Sequence, residues 1–222
     1  MLCAPMSHPY DALLAIERGD LARLKELLAE EPALASARDE QGVSIVLRAA
    51  YRQQPDSVAA LLAFHPELDL FTAAAVGDAL RVAQILELDY GAAQSFQGDG
   101  FNGLQLACYF AQPACARLLV ERGANVEAVS KNGMELRALH AAVAGRNMEC
   151  VELLLEHGAD PNSAQHGGWV ALHAAVNNKD AAMVRALLAR GADPKRPNEF
   201  GQSPLELARE KSDAAILRLL QG

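Results

Sequence analysis

Aromatic side chains are scarce in this sequence of 222 residues: they make up 5% of it, although 51% of it is hydrophobic. Much of the apolar content is therefore alanine, leucine and valine, which suits closely packed helices better than a sheet sandwich. No apolar run approaches the roughly 20 residues that span a bilayer. The first ten residues, MLCAPMSHPY, lack the basic start and the apolar stretch of a signal peptide. We therefore predict a cytoplasmic protein.

Positive charge is also in short supply. The sequence has 20 Lys and Arg against 28 Asp and Glu, which gives a formal net charge of −8. Proteins that bind nucleic acid carry a basic footprint, and anionic membrane surfaces attract basic segments. The charge balance therefore predicts neither a nucleic-acid partner nor a membrane partner.

Motifs that carry known chemistry are missing. The sequence has no Gly-rich phosphate loop, no His-Glu-x-x-His and no Gly-x-Ser-x-Gly. A structural zinc site needs four converging ligands, and the usual Cys-x-x-Cys spacing does not occur among the four cysteines. We predict that the protein is not an enzyme and that it holds no cofactor and no metal.

A repeat of 33 residues occupies much of the chain. HAAVAGRNMECVELLLEHGAD begins at His140, and HAAVNNKDAAMVRALLARGAD begins at His173. Counted from these two reference positions, equivalent positions are Leu13, Leu47, Phe71, Gln105 and Glu206. Two residues after each reference position stands an alanine: Ala15, Ala49, Ala73, Ala107, Ala142, Ala175 and Ala208. Fourteen residues after it stands Leu or Ile: Leu27, Leu61, Ile85, Leu119, Leu154, Leu187 and Leu220.

These two columns predict a short helix, a tight turn and a longer helix in every unit. Alanine lets neighbouring helix axes approach to roughly 8–10 Å. In the longer helix, Val151, Leu154 and Leu155 have the spacing of one helical face. Gly158 and Gly191 follow this helix, where glycine takes the left-handed conformation at no steric cost. A generic bundle would not repeat at a fixed period.

Several short segments resemble ankyrin repeats: GADPN at 158–162, GADPK at 191–195, GANVE at 123–127, ALHAA at 138–142 and 171–175, and GQSPLELA at 201–208. The resemblance implies an all-α, curved solenoid of about seven helix-turn-helix units, with a hairpin-like finger between units. It also implies that His140 and His173 are structural, because this histidine bonds loop backbone in the family. Cys115 and Cys150 share one position in adjacent units, and we expect them to be small buried residues rather than a disulfide.

Charged ends suggest one continuous stack, because terminal repeats must turn a polar face to water. We predict a disordered tail at 1–8 and a single ankyrin-repeat domain at 9–222. Its units are approximately 9–34, 42–63, 69–90, 100–123, 133–158, 168–191 and 201–221.

Some units depart from the pattern. Only eight residues separate Leu62 from Phe71, so we predict a missing finger near Pro66 and a notch in the row of fingers. A two-residue insertion in KNGMELRALH predicts a misshapen finger before Arg137. Asn102 and Ser203 can cap the first helices of their units, whereas Val170 cannot.

Partner-binding residues should occupy positions that the repeat does not dictate. The resemblance implies that these positions line a concave groove. Aromatic residues there are candidate anchors, and we predict a partner site formed by Tyr51, Phe96, Phe101, Tyr109, Phe110, Trp169 and Phe200. Acidic residues nearby (Asp99, Glu135 and Glu199) predict a partner with some basic character.

The leading hypothesis for function is a monomeric, non-enzymatic module that binds a partner protein or peptide in this groove. A second hypothesis is a dedicated inhibitor or immunity-type protein of one target enzyme or toxin. A third is an enzyme or metal protein that uses His140, His173 and the cysteines.

Overall fold

The computed structural model describes residues 9–222, so the predicted tail at 1–8 lies outside the described residues. Fourteen α-helices, and no β-strand, occur in this range. In chain order they are α1 Pro9–Arg18, α2 Leu21–Glu30, α3 Ile45–Tyr51, α4 Pro55–Leu62, α5 Leu70–Val76, α6 Ala79–Leu88, α7 Gly103–Tyr109, α8 Pro113–Glu121, α9 Ala138–Ala144, α10 Met148–Glu156, α11 Ala171–Asn177, α12 Ala181–Ala189, α13 Pro204–Glu210 and α14 Ala214–Gln221. Short 3-10 helices are Pro32–Ser36, Tyr90–Gln94 and His166–Gly168. The predicted all-α fold is confirmed.

Consecutive helices form pairs, and the odd-numbered helices of neighbouring pairs contact one another. We call the odd-numbered helices inner and the even-numbered helices outer. The predicted caps are confirmed: the side chains of Asn102 and Ser203 accept the backbone N–H of Gln105 and Glu206. Val170 provides no side-chain cap to α11, as predicted.

The alanine column lies at the centre of the stack. All seven alanines are buried, and the most exposed of them, Ala15, is 4% exposed. Six of the seven residues in the Leu/Ile column are buried too. In the third pair, however, Ile85 is half-buried and Leu86 takes the buried position. Val82 keeps its buried position, and the residues equivalent to Leu86 in two other units, Leu28 and Leu155, are buried too. The outer helix α6 therefore turns the same face to the core, with Ile85 at its margin.

Fingers occur between most pairs. The first finger (38–44), the second (96–102) and the fourth (164–170) each close with a two-residue backbone bridge. In the second finger the N–H of Gln97 donates to the carbonyl of Phe101, four residues later. In the third finger (130–136) the N–H of Ser130 donates to Leu136, six residues later. The two inserted residues therefore widen this finger, which confirms the predicted irregularity.

The finger predicted to be missing is indeed missing. Residues 63–69 connect α4 directly to α5 and contain none of the backbone bridges of the described range. The predicted notch is wrong, however, because the first and second fingers meet across the gap. The carbonyl oxygen of Gln41 lies against Gly98, with no space for a Cβ between them. Since no finger separates them, the two neighbours close the row.

Hydrogen bonds hold the first finger in this shifted place. The guanidinium of Arg38 donates to Asp69, the N-cap residue of α5, at 2.5 Å. The hydroxyls of Ser44 and Thr72 lie 2.7 Å apart, and one donates a hydrogen bond to the other. The first finger thus bonds to the start of α5 in place of the finger that residues 63–69 do not form.

Replacement of Gly98 by alanine should separate the two fingers. The added Cβ would lie 1.9 Å from the Gln41 carbonyl oxygen, so backbone has to move. We expect a loss of about 1–3 kcal/mol in the free energy of unfolding, measured by urea denaturation. Gly91→Ala is the matched control, because the nearest atom there is a side-chain oxygen of Asp89 at 3.1 Å. An equal loss in both variants would contradict the contact between the fingers.

The hydrophobic core narrows at the same place. One cluster of buried side chains extends from Ala12 to Leu61, and a second from Leu68 to Leu220. Half-buried Leu62 and Val76 pack against both. A small third cluster of Val43, Leu47, Ala75 and Leu106 lies under the fingers. The apolar contact between the two larger clusters therefore depends on few side chains, and the single domain at 9–222 stays a prediction.

Candidate functional site

The inner helices form the floor of a groove. The fingers stand at one edge of this floor, where the inner helices begin, and the turns between inner and outer helices form the other edge. Four cavities open on this surface, and three of them adjoin one another. Cavity A has a volume of about 210 Å³ and is lined by Tyr51, Phe101, Gln105, Leu106, Tyr109, Met134, Leu136 and Ala141.

The other two of these three cavities adjoin cavity A through shared residues. Cavity B, about 390 Å³, shares Leu136 with cavity A and also contacts Trp169 and His173. Cavity C, about 630 Å³, lies towards the turn edge, shares Tyr109 with cavity A and Ala144 with cavity B, and includes Arg146. Cavities A and B therefore adjoin one another on the inner helices, and cavity C adjoins both at the turn edge, where it also contacts the outer helix α4.

Four of the predicted aromatic residues lie together beside these cavities. The ring of Tyr51 is 5.8 Å from that of Phe110 and 6.4 Å from that of Phe101, and Tyr109 meets Phe110 edge-on at 5.1 Å. Tyr51 also donates a hydrogen bond of 2.7 Å to Asp99. Of the four, Tyr109 is the exposed one, at 40%, and the others are half-buried. Tyr51, Phe101 and Phe110 therefore stabilise the groove as well as lining it.

The remaining three predicted residues lie elsewhere. The ring of Trp169 is 6.4 Å from that of Phe200 and 5.1 Å from that of His173. Phe200 is 78% exposed at the fifth finger (198–202). The ring of Phe96 is half-buried, and the ammonium of Lys131 lies 4.3 Å from its centre. The structure thus divides the seven candidates into two clusters and one separate ring.

Sequence reasoning missed three residues of cavity A: Gln105, Met134 and Leu136. Met134 is 54% exposed at the tip of the third finger, and Leu136 stands between cavities A and B. The insertion in KNGMELRALH was the available signal, because two added residues carry Met134 beyond the ordinary turn. A thioether there can adapt to differently shaped apolar groups.

The two reference histidines have the structural role that the resemblance implies. Nδ1 of His140 accepts the N–H of Arg137 at 3.3 Å, and Nε2 lies 3.0 Å from the carbonyl of Ser163. His173 repeats this pattern with Val170 and Gln202 at 3.2 and 2.9 Å. In both rings the hydrogen bonds are consistent with a neutral imidazole protonated on Nε2. Burial lowers the pKa of His140 to about 4 and also lowers that of His173.

Gln105 occupies the same position one unit earlier. Its Oε1 accepts the N–H of Asn102 at 3.0 Å, and its Nε2 donates to the carbonyls of Ala128 and Leu136 at 3.0 and 2.8 Å. The amide thus makes the bonds of the histidine without a titratable group. At this position the chain needs one acceptor and one donor rather than a base.

The three described cysteines are free and buried. The thiol of Cys108 interacts with that of Cys150, a pairing that the shared position of Cys115 and Cys150 did not predict. The hydrogen bond with Cys150 and burial raise the pKa of the Cys108 thiol well above its usual range. Burial raises the pKa of Cys115 to about 11. The hydrogen bond with Cys108 lowers the pKa of Cys150. A protonated, buried thiol is a poor nucleophile, so Cys108 and Cys115 give no support to the hypothesis of cysteine chemistry.

Residues 9–222 contain no group of three or more His, Cys, Asp or Glu side chains placed to hold a metal ion. No helix in that range is long and apolar enough to cross a membrane.

The comparison with known families agrees with the geometry. Ankyrin repeats, in three copies, match residues 70–165 and 139–222. The chain belongs to the ankyrin-repeat family. A curated relative, BCL-6 corepressor-like protein 1 from Homo sapiens, is 38% identical over 72 residues, which is 32% of this chain. The aligned part is 4% of that much longer protein.

Proposed function

We propose that this protein binds a partner protein or peptide in the groove formed by its inner helices, and that the binding is not coupled to catalysis. Ankyrin repeats are in general protein-protein interaction modules. The observation that supports a groove site here is the set of adjoining cavities A, B and C. Its rigid floor would hold a partner with little loss of conformational freedom in this chain. We further propose that residues 9–222 act as one monomeric domain in the cytoplasm.

Anchor residues for the partner are proposed at cavity A. Tyr109 and Met134 are exposed and face a mainly apolar space, whereas Tyr51 and Phe110 are also needed to support their neighbours. An exposed tyrosine with few rotatable bonds is a common centre of binding energy. Trp169 and Phe200 would extend the contact along cavity B and the fifth finger.

The test is a double variant, Tyr109→Ala with Met134→Ala. Both side chains are exposed, so the fold should persist while the apolar contact is lost. We expect affinity for a partner captured from native extract to fall by about tenfold or more, measured by quantitative mass spectrometry and then with the purified partner. Circular dichroism and thermal unfolding check that the variant is folded.

A matched control removes apolar surface elsewhere. Leu80 and Tyr90 are 71% and 67% exposed, and neither lines cavities A, B or C. Leu80→Ala with Tyr90→Ala should leave capture unchanged. If the groove variant captures the same proteins in the same yield as the unaltered chain, the groove assignment is wrong.

A dedicated inhibitor of one basic target is the second candidate, favoured by the net charge of −8. Charge of this sign speeds capture of a cationic target by electrostatic steering. For such a protein the association rate should fall steeply with added salt. A general scaffold should show a weaker dependence.

A further inference from the structure

Charged side chains on the outer helices are paired between neighbouring units. Arg122 lies 3.9 Å from Glu87, Arg117 lies 3.4 Å from Glu149, and Arg190 lies 3.9 Å from Glu156. Each pair joins adjacent outer helices or the residue that follows one. Three ion pairs therefore link neighbouring units on this side of the stack.

The finger edge of the groove carries acidic residues that have no such pairing. Glu40, Glu135 and Glu199 are exposed at the tips of the first, third and fifth fingers. No ion pair within 4 Å involves any of the three among the described residues. Asp99 adds a fourth carboxylate, engaged by Tyr51. Cations at this edge include Lys131, which faces the ring of Phe96, and Arg38 of the first finger, which pairs with Asp69.

The turn edge has the opposite sign. Arg52, Arg146 and Lys179 are exposed where the third, ninth and eleventh helices end, and they too lack ion pairs within the described range. Lys211 takes the equivalent place after α13. Carboxylates also lie in these turns. Asp20, Asp78, Asp180 and Asp213 accept N–H groups at the start of the outer helices that follow, so the helix ends offset their charge, and Asp56 is exposed in the first turn of α4.

Across its width, the groove is thus acidic at the fingers, apolar at cavities A and B, and basic at the turns. A partner complementary to all three zones must present three parallel stripes. A β-strand has two faces, because its side chains alternate. An α-helix distributes its side chains around the axis and can present an apolar stripe with a different flank on each side.

We propose that the groove binds an amphipathic helix whose apolar stripe lies on cavities A and B. The helix has Lys or Arg along the flank that meets the finger edge and Asp or Glu along the flank that meets the turn edge. This inference rests on the proposed function and adds the chemistry and orientation of the partner. Each flank meets exposed charges of opposite sign that make no ion pair among the described residues, so complementarity sets the register of the complex.

Two synthetic peptides of identical composition test the pattern. Each is a helix of about 18 residues, five turns, with one leucine stripe. The sorted peptide has lysines on one flank and glutamates on the other, and the mixed peptide alternates them on both flanks. We expect the sorted peptide to bind about tenfold more tightly in isothermal titration calorimetry, with the difference reduced at high salt.

Protein variants localise the effect. Glu135→Lys with Glu199→Lys reverses two charges of the finger edge and should weaken the sorted peptide by about tenfold. Glu121→Lys with Glu152→Lys is the control, because it changes net charge equally on the exposed side of α8 and α10. It should change affinity by less than about twofold.

The outcomes separate this inference from the proposed function. Equal affinity of the two peptides, no binding of either, or equal losses in the two protein variants would overturn the sorted-flank helix. If any of these occurs while Tyr109→Ala with Met134→Ala still abolishes capture of a native partner, the groove function stands and its partner has another shape. If sorted-peptide binding is insensitive to that groove variant, both proposals fail.

Discussion

Replacement of Leu154 by alanine is expected to lower the free energy of unfolding by about 3 kcal/mol. Leu154 is fully buried in the larger cluster of the core, on the outer helix α10. Truncation loses the transfer free energy of the removed atoms. It also leaves a cavity, because helices pack on both sides of α10 and cannot move in to fill it. Urea denaturation followed by circular dichroism measures the change.

Exposure provides the control for this result. Leu88 ends the outer helix α6 and is 88% exposed, so Leu88→Ala should alter stability by less than about 0.5 kcal/mol. If the two leucine variants lost equal stability, the Leu/Ile column would not be the seam that joins the outer helices.

Acidification is expected to destabilise the protein through His140, and His140→Gln should abolish that part of the effect. The pKa of His140 is lowered from 6.5 to about 4 because the ring is buried and faces Arg137. The unfolded chain therefore binds a proton that the folded chain excludes between these two values. This contribution to stability is present above pH 6.5 and is lost as the pH falls towards 4. The loss is about 2 kcal/mol by about pH 5 and about 3 kcal/mol when complete.

Gln105 shows why glutamine is the right replacement. It makes the equivalent acceptor and donor bonds one unit earlier in the same stack. His140→Gln should therefore remain folded at neutral pH and show a flatter decline of stability between about pH 7 and about pH 5. His166→Gln, at an exposed position of the fourth finger, should leave the pH dependence unchanged. A decline as steep in His140→Gln as in the unaltered chain would contradict the neutral, buried ring.

The regular part of the fold was predictable because equivalent helices pack in the same way in each unit, and this packing produces the period in the sequence. A column of alanine is possible only where helices touch, so Ala107 and Ala142 could be placed in the core from their spacing. The gap before Phe71 was equally readable, since too few residues remain for a finger. The contact between the first and second fingers could not be predicted from the sequence. Gln41 reaches Gly98 only because no finger lies between them.

The site was less predictable than the fold. Position in the repeat identifies which side chains point away from the core, but it does not identify which of these side chains contact one another. Tyr51 and Phe110 lean over the small side chains of α5, and Trp169 turns towards Phe200. Cys108 and Cys150 meet although they hold different positions in their units. Such pairings depend on rotamers and on the local tilt of helices, which no one-dimensional period contains.

The hydrogen bond from Tyr51 to Asp99 joins residues 48 positions apart. In a stack whose units contact only their neighbours, folding can begin at any unit, because each further unit packs only on the one before it. This bond reaches past the third helix pair and ties the second to the fourth, so it closes only after both are in place. The stability of this region therefore includes a coupling between helix pairs that are not neighbours, which a description by adjacent units alone leaves out.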